Sequence, residues 1–151
     1  MKTENNLQKT ESQSWDDCFL LGISAIDNQH FQLFNIFDKI LNISEYCFDC
    51  EKMQLILEDL EKLSKTHFFD EELLMSDANF DQIELHRTQH LYFLEQVEYF
   101  KQTFKYCNSK LIEQLHEFIR KWILNHIYVE DAKYATTVKS HLLRDIDNWV
   151  I

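Results

Sequence analysis

The sequence predicts an all-α protein, an up-down-up-down antiparallel four-helix bundle with an N-terminal arm and a short C-terminal helix or tail. The 151 residues include one glycine and no proline, the two residue types on which sheets and tight turns usually depend. Over long stretches the apolar residues recur every three or four positions, as on one face of a helix. A chain of this length supports a single domain with one sizeable core.

The chain begins with a polar segment, residues 1–14, that shows no apolar periodicity. We expect this segment to be a flexible tail and residues 15–151 to form the domain. Apolar residues then form an arm that should lie across the outside of the bundle and cover part of its core. They are Trp15, Phe19, Leu20 and Leu21.

The first helix is predicted to start at Ser24, because Ser24 and Asp27 have the spacing of a capping box. Its apolar stripe places His30 on the core face. The stripe consists of Ile26, His30, Leu33, Phe37 and Ile40. Polar residues 44–49 form the first connection.

The second helix is predicted over 50–75 and the third ends near residue 105, with Asn79 and Asp81 as candidate caps between them. Both helices carry polar residues at core positions. The second stripe is Met53, Ile56, Leu60, Leu63, His67, Glu71 and Leu74. The third is Ile83, His86, His90, Leu94, Val97, Phe100 and Phe104.

The fourth helix, with Ser109 as its predicted cap, carries the stripe Leu111, Leu115, Ile119, Trp122, His126 and Val129. Asp131 follows His126 by five residues, a step that rotates by about 140° on an ideal α-helix. Either the helix is locally distorted or Asp131 reaches across from its flank. After about residue 136 a short fifth helix or ordered arm is predicted from Leu142, Leu143, Ile146 and Trp149.

The net charge of −11 disfavours binding to nucleic acid and to anionic membranes, and neither is an expected partner. The sequence shows no signal peptide and no apolar run long enough to span a membrane. We therefore expect a soluble, cytoplasmic protein. Repulsion between acidic surfaces favours a monomer.

Four cysteines, Cys18, Cys47, Cys50 and Cys107, are expected to remain thiols in a cytoplasmic protein. Cys47 and Cys50 have the spacing of half a zinc site or of a redox pair. No second pair and no nearby histidine completes such a site, so we interpret them as loop thiols.

Two pairs of candidate metal ligands have the four-residue spacing that places side chains on one helix face: His67 with Glu71, and His86 with His90. Such pairs are also common on solvated surfaces. Here the apolar periodicity places them in the core. A buried imidazole or carboxylate without a partner costs several kcal/mol, and a bound cation supplies that partner.

In an antiparallel bundle, the first and third helices begin at the same end of the bundle at which the second and fourth helices terminate. Seven residues then lie within about 10 Å of one level. They are His30, His67, Glu71, His86, His90, His126 and Asp131. Five imidazoles and two carboxylates are too many for one ion and suit two, with the carboxylates bridging. The ligand types fit iron, with manganese or zinc also open.

Two further histidines lie outside this set. Glu113 and His116 have a Glu-x-x-His spacing found in other di-iron proteins, but they fall at the far end of the bundle and are interpreted as surface residues. His141 belongs to the C-terminal segment and has no identifiable partner.

The seven residues, with Ile26-Asp27 ahead of His30 and Ile127 after His126, resemble the hemerythrin family, specifically the single-domain bacterial hemerythrins. The resemblance covers about residues 15–135, and all seven positions match in order and spacing. It implies a hemerythrin-like domain with two non-haem iron ions per chain, bridged by oxide or hydroxide. One ion would take His86, His90 and His126, the other His30 and His67, with Glu71 and Asp131 bridging.

The resemblance also implies reversible dioxygen binding for storage, delivery or scavenging, without catalytic residues, and leaves open an unidentified protein that accepts the oxygen. The alternatives are an oxygen or redox sensor and a di-iron enzyme acting on dioxygen, peroxide or nitric oxide. A dry pocket favours reversibility because it withholds the protons that drive oxidation. Its expected lining is Leu33, Phe68, Trp122 and Ile127.

Overall fold

The computed structural model describes residues 19–46 and 48–149, with side chains through residue 146. The predicted tail 1–14, Trp15, Cys18 and Cys47 lie outside the described residues, as does the side chain of Trp149. In the described part of the chain, no helix is both long enough and apolar enough to cross a membrane.

The described residues form four helical rods joined by short connections, which makes neighbouring rods antiparallel. The first three are single helices: α1 (Ser24–Leu41), α2 (Cys50–Asp77) and α3 (Ile83–Phe104). The fourth consists of α4 (Leu111–Lys121), a π-helix (Trp122–Glu130) and α5 (Asp131–Trp149) in direct succession. α1 and α3 each pack against both α2 and α4, so the rods form a square. The predicted all-α four-helix bundle is confirmed.

The fourth rod departs from the prediction in two respects. The helix continues through α5 to Trp149, where a separate helix or arm after about residue 136 was predicted. Val129 was predicted in the core but is 44% exposed. The π-helix is the reason, because its wider turn changes the angle between successive side chains and moves Val129 off the core face.

The start of α1 is stabilised differently from the predicted capping box. Ser24 is the first helical residue, and no side chain caps the helix at the preceding Ile23. The carboxylate of Asp27 instead reaches back beyond the helix and accepts hydrogen bonds from the backbone N–H groups of Leu21 at 2.8 Å and Gly22 at 3.1 Å. Gly22 has a φ of 80°, a conformation that favours glycine.

The predicted caps of the third and fourth helices are also wrong. Gln82 and Lys110 precede these helices, and neither makes a side-chain capping bond. Asn79 adopts a φ of 55° in the turn after α2. α2, in contrast, is capped by the side chain of Asp49, which accepts hydrogen bonds from the backbone N–H groups of Glu51 and Lys52.

The core consists of two apolar clusters at different levels of the bundle. The larger is built around Phe37, Leu57, Phe93 and Leu115 and fills most of the bundle. The smaller lies at the end of the bundle where α1 and α3 begin. Its members are Leu21, Ile23, Ile26, Met75, Ala78, Phe80, Tyr134, Ala135 and Val138. In α1 and α3 the predicted metal ligands fall between the residues of these two clusters, and in α2 and the fourth rod they lie beside or between them, so apolar packing encloses the site from both ends.

The N-terminal arm covers the core in part, as predicted. Leu21 is buried, and the ring of Phe19 packs against those of Phe34 and Tyr128, with centroids 5.3 and 5.5 Å apart. Leu20, however, is 51% exposed.

Cys50 and Cys107 form a disulfide, so the expectation that they are thiols is wrong. The first turn of α2 and the turn after α3 lie at the same end of the bundle, which brings the two Cα atoms to 5.6 Å. This distance lies within the usual range for a disulfide. Because the two cysteines are 57 positions apart in sequence, no local spacing signals the pair.

Candidate metal centre

The structure brings together all seven residues that the sequence predicts as metal ligands. α1 contributes His30, α2 and α3 contribute two each, the π-helix contributes His126, and α5 contributes Asp131. Each is at most 3% exposed. Their ligand atoms form two sets, each within 4.8 Å, and Asp131 belongs to both. The sets are His30, His67, Glu71 and Asp131, and His86, His90, His126 and Asp131.

In the first set, two imidazole nitrogens face each other and two carboxylates. Nε2 of His30 lies 3.1 Å from Nε2 of His67 and 3.2 Å from Oδ2 of Asp131. Oε1 of Glu71 is in contact with Nε2 of His67, one helical turn earlier on α2. These atoms therefore converge on one small volume.

In the second set, Oδ1 of Asp131 lies 2.9 Å from Nε2 of His86 and 3.1 Å from Nε2 of His126. Glu71 also approaches this set, with Oε2 at 3.5 Å from Nε2 of His86. Both carboxylates thus contact histidines of both sets, the arrangement that bridging ligands require.

The π-helix places Asp131 in the site. Asp131 follows His126 by five residues, and its backbone N–H donates to the carbonyl of His126. Because a π-helix repeats its hydrogen bonds every five residues, two such residues lie above one another. Of the two possibilities that the sequence left open, the local helix distortion is correct.

Although these atoms lie close together, the inner atoms of the site make no well-aligned hydrogen bond with the described residues. These buried atoms include both oxygens of Glu71, both oxygens of Asp131, and Nε2 of His86, His90 and His126. Buried acceptors that converge without donors are costly unless a cation binds them. The donor set, imidazole nitrogens with carboxylate oxygens, fits a first-row divalent metal such as iron.

The pKa values of these residues show how strongly the site attracts positive charge. Burial lowers the pKa of His30, but Asp131 and Glu71 outweigh it and raise the pKa to about 10. The same balance raises the pKa of His86 to about 9. Burial favours protonated Glu71, but the neighbouring imidazoles hold its pKa well below the usual range. Without metal, protons on His30 and His86 therefore supply the charge that a cation would bring.

Three of the ligand histidines are held at their outer nitrogen, Nδ1, by a polar side chain of a neighbouring rod. The sequence analysis did not predict these three side chains. Gln29 Oε1 lies 2.8 Å from His67. Glu72 Oε1 lies 2.8 Å from His90, and Gln89 Oε1 lies 2.7 Å from His126. Each is the sequence neighbour of a ligand, and this adjacency is the signal that could have identified them. These bonds orient the rings and aim Nε2 inward.

Tyr134 is a further residue that was not predicted at the site. It is 0% exposed, its ring packs edge-on against His86 with centroids 5.4 Å apart, and its hydroxyl has no hydrogen-bond partner among the described residues. Burial, together with the charges of Glu71 and Asp131, raises the pKa of Tyr134 well above its ordinary value. The phenol therefore stays protonated.

The four predicted pocket residues, Leu33, Phe68, Trp122 and Ile127, are all buried. Phe68 stacks on His90 with centroids 3.9 Å apart, and Trp122 stacks on His126 at 4.0 Å. Both stacked histidines belong to the second set, and Phe68 also lies beside His67 of the first set, with centroids 5.7 Å apart. The aromatic wall thus covers the three-histidine side of the site.

An outer groove of about 520 Å³ lies between α3 and the fourth rod. Its lining includes Tyr92, Phe118 and Trp122, and it reaches the edge of His126 beside Gln89. The groove therefore meets the outer side of one ligand ring, while Nε2 of His126 stays buried.

The histidines predicted to lie outside the site do so. His116 is half-buried at the far end of the bundle, where its Nε2 donates to the carbonyl of Ile40 at 2.7 Å. It is thus less exposed than the surface position expected for it. Nε2 of His141 lies 3.5 Å from a carboxylate oxygen of Asp145, its neighbour one turn later on α5.

The family model described as the Hemerythrin HHE cation binding domain matches residues 21–138. A bacteriohemerythrin of Clostridium acetobutylicum is 32% identical over 124 residues, covering 80% of this chain and 96% of that protein. A myohemerythrin of Riftia pachyptila is 29% identical over 120 residues, covering 80% and 88%. A crystal structure of a leucine-to-alanine mutant of hemerythrin superimposes with a TM-score of 0.68 at 20% identity, covering 77% and 88%, and shares the fold.

Proposed function

The chain belongs to the hemerythrin family, and on that premise we propose that it binds dioxygen reversibly at two non-haem iron ions. The observation that carries the proposal is the pair of buried ligand sets that share Asp131. Their inner oxygen and nitrogen atoms lack hydrogen-bond partners among the described residues, which suits them to hold cations.

The two sets would hold their ions unequally. His86, His90 and His126 provide three imidazoles to one ion, whereas His30 and His67 provide two to the other. Since Glu71 and Asp131 would serve both ions, the two-histidine ion would have one protein ligand fewer than the other. A pair of ferrous ions would supply the electrons for dioxygen binding and take them back on release.

The contribution of the protein to reversibility is to exclude water and stray protons. Leu33 and Ile127 are each 1% exposed, and the rings of Phe68 and Trp122 close the three-histidine side. A pocket without water supplies no protons, and without protons the dioxygen is not released in a reduced form such as peroxide. The same apolar wall favours binding over catalysis, because it offers little to orient an organic substrate.

A storage, delivery or scavenging role follows from reversible binding, and sensing or di-iron oxidation are the competing roles. The test is anaerobic loading of the full chain with ferrous iron, elemental analysis, and optical spectra under argon, in air and again under argon. About two irons per chain and a colour that disappears on the return to argon would support the carrier. One-way oxidation in air would contradict it and favour an enzyme or a sensor.

A matched control is available in His116→Ala. This variant removes a half-buried histidine at the opposite end of the bundle. It should bind the same amount of iron and cycle in the same way. A loss of iron in this control would show that general destabilisation, rather than ligand removal, governs metal content.

A further inference from the structure

Each of the three outer-nitrogen contacts joins a histidine to a polar side chain of the neighbouring rod, but the acceptors differ in charge. Gln29 and Gln89 present amide oxygens to His67 and His126. Glu72 presents a carboxylate oxygen to His90 at a similar distance of 2.8 Å. Among these contacts, only the one to His90 is made by an ionisable acid.

The ring of His90 is held firmly between this carboxylate and an aromatic face. Phe68 stacks on it with an angle of 6° between the ring planes. With Nδ1 donating to Glu72, the remaining nitrogen, Nε2, is buried and has no partner among the described residues. The two contacts therefore leave His90 one direction in which to bind a metal.

The carboxylate of Glu72 is itself placed by Arg87. Nε of Arg87 lies 3.6 Å from Oε2 of Glu72, while its Nη1 contacts Glu84. The Glu72 side chain is 27% exposed and that of Glu84 is 79% exposed. Arg87 thus binds two acids, of which only Glu72 touches a histidine of the site.

We propose that Glu72 is a positioning residue that makes His90 a stronger electron donor, so that the ion held by His86, His90 and His126 is bound more tightly and favours its oxidised state. A carboxylate that accepts the Nδ1 proton of a ligating imidazole pulls that proton away from the ring and raises the basicity of Nε2. A neutral amide does so less. The two sets therefore differ in the number of histidines and also, through Glu72, in how strongly one of those histidines donates electrons to its ion.

This inference rests on the proposed pair of metal ions, and cobalt(II) tests it without dioxygen. Titrating cobalt(II) into the unaltered full chain and into its Glu72→Gln variant measures the affinity of each protein for the metal. Glutamine keeps an oxygen acceptor for His90 but removes the charge. We expect one of the two ions to bind at least tenfold more weakly, within the range typical for loss of such a partner.

The iron-loaded proteins provide a second readout, the reduction potential measured anaerobically. Glu72→Gln should raise the potential of one ion, with at least a tenfold shift of its ferric–ferrous equilibrium, or about 59 mV for one electron. The reciprocal variant Gln89→Glu should shift the equilibrium the other way, because it gives His126 the carboxylate acceptor that His90 has.

Glu84→Gln is the matched control, because it removes an acid that binds the same arginine but does not contact His90. It should leave both cobalt affinity and potential close to those of the parent chain. Equal values for Glu72→Gln and Glu84→Gln would overturn the role of Glu72. A parent chain that binds two cobalt ions but fails to cycle dioxygen as the iron form would overturn the carrier function alone, and the cobalt comparison would still decide the inference.

Discussion

Nε2 of His126 lies 3.1 Å from Oδ1 of Asp131, although the two residues are five positions apart on one helical rod. In an α-helix this step would separate them by about 140°. The π-helix from Trp122 to Glu130 brings them together. It also lets the other oxygen of Asp131 reach His30, at 3.2 Å, on α1. A local widening of one helix thus connects the two ligand sets.

Asp131→Asn should weaken binding of the second metal ion at least tenfold, because asparagine keeps the shape but removes the negative charge shared by both ions. Metal content after gel filtration should fall from about two ions per chain to about one or less. Glu130→Gln, which alters a neighbouring acid that pairs with Lys133, should keep both ions. An Asp131→Asn chain with two tightly held ions would show that this carboxylate does not bridge.

His67→Ala should separate metal binding from oxygen cycling. The three-histidine set keeps all its imidazoles and should retain at least one ion. The ion of the first set would gain an open position that water can enter, so reversible oxygenation should fail. Iron analysis and an air–argon cycle of the same sample check both outcomes. Unchanged cycling would mean that His67 does not hold the oxygen-binding ion.

Ile127→Ala should hasten irreversible oxidation in air at least severalfold, because it opens space for water beside the site. The variant should also lose about 2 to 5 kcal/mol of unfolding free energy, as truncation of a buried isoleucine usually does. Ile112→Ala matches it in residue type and burial, at 2% against 1% exposed, but lies at the far end of the bundle. If both variants oxidise at the same rate, the faster oxidation results from the general loss of stability and not from water entering beside Ile127.

Stability of the metal-free protein should decline at alkaline pH. The pKa values of His30 and His86 are raised to about 10 and about 9, from an ordinary value of 6.5. A raised pKa in the folded state stabilises the fold fully below the ordinary value, and this stabilisation is lost as pH rises through the raised values. Thermal unfolding of the metal-free chain should therefore shift to lower temperature as pH passes through 9 to 10.

The zinc-loaded chain provides the comparison for this pH series. A bound cation takes the place of the two protons, so its unfolding temperature should be much less sensitive over the same range. Parallel curves for the two forms would contradict the assignment of the raised pKa values to the metal site.

We expect the chain to sediment as a monomer of about 18.4 kDa at micromolar concentration, because two copies with a net charge of −11 repel each other. An apolar group near the end of α5 works against this expectation, because its members Leu143 and Ile146 are 63% and 59% exposed. A tight dimer that Leu143→Glu converts to monomer would show that this group overrides the repulsion.

Helical periodicity accounts for what could be predicted from the sequence. A residue on an apolar stripe faces the core where the helix keeps a regular α-helical turn, so His30, His67 and His86 could be placed in the core before any packing was known. Short connections then implied antiparallel rods, which put the candidate ligands at one level. Misassigned caps at Asn79, Asp81 and Ser109 did not affect this result, because a cap shifts a helix end by a few residues and leaves its core face unchanged.

The features that the sequence did not reveal depend on how separate rods meet. The Cys50–Cys107 disulfide joins two segments 57 residues apart, and the contact from Glu72 to His90 depends on the relative rotation and height of α2 and α3. The sequence alone determined that the candidate ligands face the core and suit a metal, because both follow from local spacing and side-chain chemistry. Only the tertiary structure decided which oxygen meets which nitrogen, because such contacts change with shifts of a few ångströms between helices and with the widened turn that carries Asp131.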